Sequence, residues 1–183
     1  MFDLDFVRTA FPALASGFVF LDNAGGSQVL ASVADRVRDY LLSTPVQLGA
    51  SYAVSQAAGE RVRAGVRAAA ALVGTDDPSE VVIGSSTTQL IGNLAAAMER
   101  GLSAGDEIIV TAVDHQANIG AWKRLARRGV VIKTWPLDPE SLRLEARGLE
   151  PLLTDRTRLV SFTHVSNLLG GIHDVAALTR IVH

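Results

Sequence analysis

The sequence predicts an α/β fold, a mostly parallel open sheet with helices on both faces, and three observations carry that expectation. Short apolar, β-branched runs alternate with segments of helical periodicity from about residue 80 onward. The runs are apolar throughout rather than alternating, as strands covered on both faces are. Two polar blocks, Asp114-His115-Gln116-Ala117-Asn118 and Thr163-His164-Val165-Ser166-Asn167, fall where such runs end. Open α/β sheets bind ligands at the carboxyl ends of their strands.

The elements follow in order. Residues 3–10 can make a short helix, and 18–21 an apolar extended run leading into Asp22-Asn23-Ala24-Gly25-Gly26-Ser27, where the glycine pair marks a sharp turn. Leu30, Val33, Val37, Tyr40 and Leu41 recur at helical spacing. A long helix is predicted over 52–73, with Val62, Val66, Ala69 and Val73 on one face and Gly74 as its C-cap. Strand and helix then alternate: strand 80–83, helix 87–100, strand 107–113, helix 119–128, strand 130–135, a mixed connection over 136–154, and strand 158–165. Gly101 and Gly129 stand just past two helix ends, where a left-handed residue is wanted, and Asp174 can cap a last helix. The alternation calls for a further strand after that helix, so the sequence reads as cut at His183.

Composition narrows the function. With 183 residues, 48% of them apolar and 20% charged, the chain can bury a large core as one domain. A net charge of −2 and scattered arginines argue against nucleic acid as a partner; Arg127-Arg128 suits a helix C-terminus. The absence of cysteine excludes disulfides, thiolate metal sites and a nucleophilic thiol within these residues. Asp3 and Asp5 near the start, with no basic stretch, read as cytoplasmic rather than secretory. No stretch of eighteen apolar residues is free of charge or glycine, which argues against a membrane span.

Several residues can carry chemistry. Gly84-Ser85-Ser86-Thr87-Thr88-Gln89 joins a strand to a helix and can cradle an anion on the helix N-terminus, or act as a simple Ser/Thr cap. It matches neither the Walker nor the dinucleotide glycine pattern, which weakens a nucleotide reading. His115 can lie over an aromatic ring or shuttle protons, or stand as a polar loop residue. His164 is expected to be a core histidine, and the four histidines form no metal pattern. Asn167 can bond a ligand hydroxyl or carboxylate, or form an Asx turn into Gly170-Gly171. Asn23 with Ala24-Gly25-Gly26 can present backbone to a substrate, or form a plain turn.

Taken in order and spacing, these segments resemble the first half of the class V aminotransferase and cysteine desulfurase family, fold-type I enzymes dependent on pyridoxal phosphate. Phe20-Leu21-Asp22-Asn23-Ala24 resembles the family's N-terminal Y-L-D-N-A block, and Thr87-Thr88-Gln89 its T-T-E phosphate loop. Gly105-Asp106-Glu107-Ile108-Ile109-Val110 with His115-Gln116-Ala117-Asn118 is similar to its G-D-x-I-I stretch and E-H-H-A-N motif. Thr157-Arg158-Leu159-Val160 through Thr163-His164-Val165-Ser166-Asn167-Leu168-Leu169-Gly170 resembles its T-R-L…T-H-V-S-N-x-L-G segment. Gln89 in place of glutamate, Gln116 in place of the second histidine, the pair Gly25-Gly26 and a late Asn93 look more like the desulfurase-like or epimerase-like branch.

The resemblance implies that Thr87 and Thr88 hold the cofactor phosphate, that His115 stacks on the pyridine ring as the catalytic histidine, and that Asn167 contacts the ring hydroxyl and the substrate. It implies that Ala24 and Gly25 line the substrate side, that the substrate is an amino acid and that the complete protein is a homodimer. Residues 1–20 would belong to the small domain and 21–183 to an incomplete cofactor-binding large domain. The family's pyridinium-pairing aspartate and anchoring lysine match nothing here, since no lysine follows Lys133. The chain alone is therefore expected to be inactive. The alternative is a non-catalytic module that keeps only the phosphate cradle.

Overall fold

A computed structural model describes residues 3–183, which form two compact units divided between Ile83 and Gly84. The first unit is helical. Its first helix, α1 (Leu4–Thr9), starts at Asp3, whose carboxylate accepts from the Phe6 backbone N–H at 2.9 Å. Helix α2 (Ala31–Ser43) buries no residue, although its apolar periodicity forms as predicted: Val33, Val37 and Leu41 remain exposed. Helix α3 (Ala53–Val73) ends at left-handed Gly74, whose N–H closes onto the Ala70 and Ala71 carbonyls. The predicted face of α3 is continuous at helical spacing with buried Ser55, Ala58 and Gly59. Burial along this face is uneven: Val66 and Ala69 are partly buried and the neighbouring Ala70 is buried, whereas Val62 and Val73 remain exposed.

The expected strand at 80–83 is not one. Residues Pro78–Glu80 make a single 3-10 turn, capped by Asp77, and 81–83 run extended without a ladder partner among the described residues. Val-Val-Ile favours extended backbone, but a strand also needs a neighbour.

The second unit is the α/β layer. It comprises α4 (Thr87–Glu99), β1 (Glu107–Thr111), α5 (Gln116–Lys123) running into a 3-10 turn at Arg124–Arg128, β2 (Val131–Trp135), α6 (Ala146–Leu149), β3 (Thr157–Ser161) and α7 (Val175–Val182). The three strands are parallel in the order β2-β1-β3. Alternate residues of β1, which is buried from Ile108 to Thr111, point to opposite faces. Ile108 and Val110 pack with Ala95 of α4 and with Ile119 and Trp122 of α5. Ile109 packs on the other side with Trp135, Leu149 of α6 and Leu178 of α7. Helices therefore cover both faces, as predicted.

Trp135 is fully buried, donates from Nε1 to the Glu145 carbonyl at 3.1 Å, and meets Phe162 edge-on at 5.9 Å. At the amino end of the sheet, Lys133 Nζ lies 2.6 Å from Glu107 Oε2 and also donates to the Leu152 carbonyl. The lysine, followed by the Thr154 hydroxyl, holds the Glu107 carboxyl below the usual glutamate range.

Gly129 adopts the left-handed conformation expected of it, with φ +83°, but Gly101 does not. The turn after α4 closes with Gly101 N–H donating to the Met98 carbonyl, and the left-handed residue is Gly105, against which the Arg156 guanidinium packs. Both predicted strands that end in polar blocks are shorter than expected: β1 stops at Thr111 and β3 at Ser161. The residues past those ends build the site.

Candidate functional site

Strand β1 is the switch point of the sheet. The chain leaves β1 through α5 on one face and leaves β3 toward α7 on the other, so the loops after these neighbouring strands part and leave a crevice between them. A cavity of about 450 Å³ lies there. Thr87, Asp114, His115, Asn118, His164 and Asn167 are among its lining residues.

The loop after β1 is shaped by side-chain hydrogen bonds to backbone. Thr111 is fully buried, and its Oγ1 accepts from the Asp114 N–H at 2.9 Å and from the Val113 N–H at 3.3 Å, which turns the chain out of the strand. His115 is the N-cap of α5: its Nδ1 accepts from the Ala117 N–H at 3.1 Å. A neutral imidazole bonded in this way carries its proton on Nε2, leaving a donor free. Asn118 Nδ2 donates to Asp114 Oδ2 at 2.7 Å, while Asp114 Oδ1 is buried without a partner.

The loop after β3 is a tight hairpin-like turn. Val165 and Ile172 form an antiparallel bridge, Ser166 N–H donates to Gly171 O at 2.9 Å, and the buried Ser166 hydroxyl accepts from the Leu168 and Leu169 N–H groups. Ser166 thus supplies the side-chain cap that the sequence offered to Asn167, and the Asn167 side chain is left exposed at the cavity. His164 is exposed on the lining and is not the core histidine that an apolar strand implied, because β3 ends before it. His173 is the buried histidine, with Nε2 unpartnered.

Helix α4 contributes its first turn. Ser86 is the N-cap, its Oγ accepting from the Gln89 N–H at 3.2 Å, and Ser85 bonds the Gln89 side chain. The capping role therefore falls to Ser86 and leaves Thr87 on the cavity wall. A Cβ at Gly84 would stand 2.6 Å from Leu90 Cδ2, so a larger residue at the entry to this turn would have to displace the Leu90 side chain. Thr88 follows on the same helix and is exposed, but it is not among the lining residues.

Ala24 and Gly25 lie in the first unit, in an exposed turn where Asp22 Oδ1 accepts from the Gly25 N–H at 3.2 Å. The Asp22 carboxylate fills the space a Gly25 side chain would need. Asp114, Asn118, Thr163 and His164 also line the cavity; the sequence placed them in the two polar blocks at the strand ends but gave them no individual role in the site. For the first two, the signal was available: an acid and an amide at i and i+4 across a helix start.

Fold and crevice together describe an α/β layer with a cavity at its topological switch. The chain belongs to the Aminotransferase class-V family, whose profile matches residues 19–183. It is 45% identical to an aminotransferase-like protein of Gibberella zeae, over all of this chain and 46% of the relative, and 32% identical to a cysteine desulfurase of Serratia proteamaculans, over 97% of this chain and 46% of that one. A solved cysteine desulfurase from Escherichia coli superposes with a TM-score of 0.84 at 28% identity, covering 98% of this chain and 46% of its own. A C-DES variant with glycine covalently linked to its pyridoxal phosphate cofactor shares the fold, with a TM-score of 0.75 at 21% identity over 95% of this chain and 45% of the other. The chain spans about half the length of the curated relatives it matches. No helix among the described residues is long and apolar enough to cross a membrane.

Proposed function

We propose that the cavity at the ends of β1 and β3 holds pyridoxal phosphate, and that this chain is the N-terminal portion of an enzyme acting on an amino acid in the manner of cysteine desulfurases or class V aminotransferases. The observation that carries the reading is that Thr87, His115 and Asn167, from three separate elements, line one cavity. Thr87 and Thr88 hold the phosphate through the free N–H groups of the first helical turn and through their hydroxyls. His115, fixed as an N-cap, presents its imidazole to the ring, and Asn167 offers its amide to the ring hydroxyl and the substrate. Ala24 and Gly25 belong to the substrate side in the same proposal. When bound, the cofactor supplies the electron sink that amino-acid chemistry requires.

Two lysines exist in the sequence, and neither lines this cavity. Lys133 is tied to Glu107 at the amino end of the sheet, and Lys123 lies at the far end of α5 from His115. The reading therefore places the covalent anchor outside these residues and expects no turnover from them alone. The division of 1–20 into a small domain and 21–183 into a large one, and a homodimer of the complete protein, are further parts of it.

Equilibrium dialysis of the chain against pyridoxal phosphate tests the reading. Reversible binding that inorganic phosphate competes away is expected, weakened at least about tenfold in a Thr87→Val, Thr88→Val double variant, the size of losing one hydrogen bond to a charged group. Borohydride treatment followed by mass analysis is expected to leave no adduct on Lys123 or Lys133. Binding that is indifferent both to phosphate and to the double variant would overturn the assignment.

A further inference from the structure

We propose that Asn118 is a positioning residue, which clips the turn carrying His115 to strand β3 through its side chain together with its backbone carbonyl. It rests on the preceding reading only in so far as His115 faces a ligand ring; the clip itself is a statement about this chain. Asn118 sits in the first turn of α5 and is bonded on two sides. Its amide Nδ2 donates to Asp114 Oδ2 at 2.7 Å, which closes a short bridge across the residue that bears the imidazole. The Ser161 hydroxyl, at the last position of β3, shares its one proton between the Asn118 backbone carbonyl at 3.2 Å and the Asn118 side-chain Oδ1 at 3.3 Å. Asn118 N–H also donates to the His115 carbonyl at 2.8 Å.

Asp114 is in turn held from below, its N–H bonded to the buried Thr111 hydroxyl. His115 is thus suspended in a short bonded loop whose supports reach into two strands, while its ring makes a single bond, Nδ1 to the Ala117 N–H. One bond from an exposed ring does not by itself hold an orientation; the turn around it must be rigid. An ordinary helix start needs only the cap, so the added link from α5 to β3 points to control of where the cap residue stands. It also ties together the two loops that form the crevice, because Ser161 opens the segment that leads to Asn167.

The test is the imidazole itself. Long-range proton–nitrogen correlation spectra of the nitrogen-15-labelled 183-residue chain report the tautomer of each histidine, and the His115 signal is assigned by its loss in His115→Gln. In the unsubstituted chain His115 is expected as the Nε2–H form, as its Nδ1 bond requires. Asn118→Ala and Asp114→Ala are expected to convert it to an averaged mixture, whereas Asp114→Asn, which keeps an oxygen for Asn118 to bond, restores the single form. Ser161→Ala removes one hydroxyl with little risk to folding and is expected to give a partial shift. An unmoved His115 tautomer in folded Asn118→Ala or, should that variant not fold, in Ser161→Ala, overturns the proposal.

A parallel pyridoxal phosphate titration separates the two claims. With the cofactor reading correct, Asn118→Ala binds about tenfold more weakly, as expected from one misplaced group in a preorganised site. Tautomer changes without any cofactor binding by the unsubstituted chain would keep the clip and discard the cofactor reading. Weakened binding with an unmoved imidazole would discard the clip.

Discussion

Residues 84–183 surround a three-stranded sheet with two clusters of large buried side chains, whereas the helices of residues 3–83 bury mainly small ones. In the second unit Ile108, Ile109, Val110, Trp122, Trp135 and Leu149 are all at most 2% exposed. In the first, the most buried residues are Ala58, Ser55 and Ala70, while Val37 and Leu41 of α2 are more than half exposed. The two regions thus hold their shapes by different means. Sheet and covering helices bury apolar area on both faces, where each large side chain is worth about 1.5–3 kcal/mol. Helix α3 relies instead on intrinsic propensity, its sequence being rich in alanine and arginine, and on bonds at its ends and surface. Arg63 and Arg67 both pair with Glu60, and Arg61 reaches Asp39 of α2. The difference teaches that a strong helical pattern establishes an element, while only a partner surface turns that element into a core.

Three substitutions can break this comparison. Trp135→Ala is expected to have the largest effect, about 3–5 kcal/mol, because it removes a fully buried indole on which Ile109, Leu149 and Leu178 converge. Urea unfolding followed by the fluorescence of Trp122, the other tryptophan, measures it; a loss below about 1 kcal/mol would mean that the second unit does not depend on that cluster.

Ser55→Ala probes the first unit. The Ser55 hydroxyl is buried, donates to the Gln47 carbonyl at 2.7 Å and accepts from the Ala50 N–H at 3.0 Å, so its removal orphans two backbone groups. A cost of about 1–3 kcal/mol is expected, read as faster amide exchange in the first turns of α3 with the sheet unaffected. Equal loosening of β1 would show that the two units do not unfold separately.

Arg61→Ala should matter least. Its ion pair with Asp39 is exposed on the aspartate side and partly so on the arginine side, and such pairs contribute about 0–1 kcal/mol that salt screens. A thermal melt is expected to shift slightly at low ionic strength and not at all in high salt. A large, salt-independent shift would make the α2–α3 contact a structural anchor rather than a surface pair.

Much of the second unit was legible from local sequence. Helix α4 begins at Thr87 and β2 ends at Trp135 as expected, Gly129 is left-handed, and the Asp174 carboxylate caps α7 by accepting from the Ala177 N–H. Each of these is decided within a few residues. The errors cluster where a distant partner decides the outcome. Val81, Val82 and Ile83 are as β-prone as the residues of β1, yet they find no neighbouring strand among the described residues. His164 and Val165 look like the end of β3, yet the chain folds back through Ser166 and exposes both. At the site, Thr87, His115 and Asn167 could be named through family resemblance, whereas the roles of Ser86, Ser166, Asp114 and Asn118 could not. Those roles depend on which hydroxyl or amide lies nearest a free backbone group.

What the sequence determined by itself was most of the elements, the family and the identity of the polar blocks near strand ends, because periodicity, caps and motifs act over single turns or short runs. Only the tertiary structure decided that β1 is the central strand and that the loops after β1 and β3 face one cavity. It also decided that the imidazole-bearing turn is tied across to β3 through Asn118 and Ser161. The physical reason is that a ladder, a crevice and a cross-strand hydrogen bond join groups far apart along the chain, and no local preference records which of them will meet.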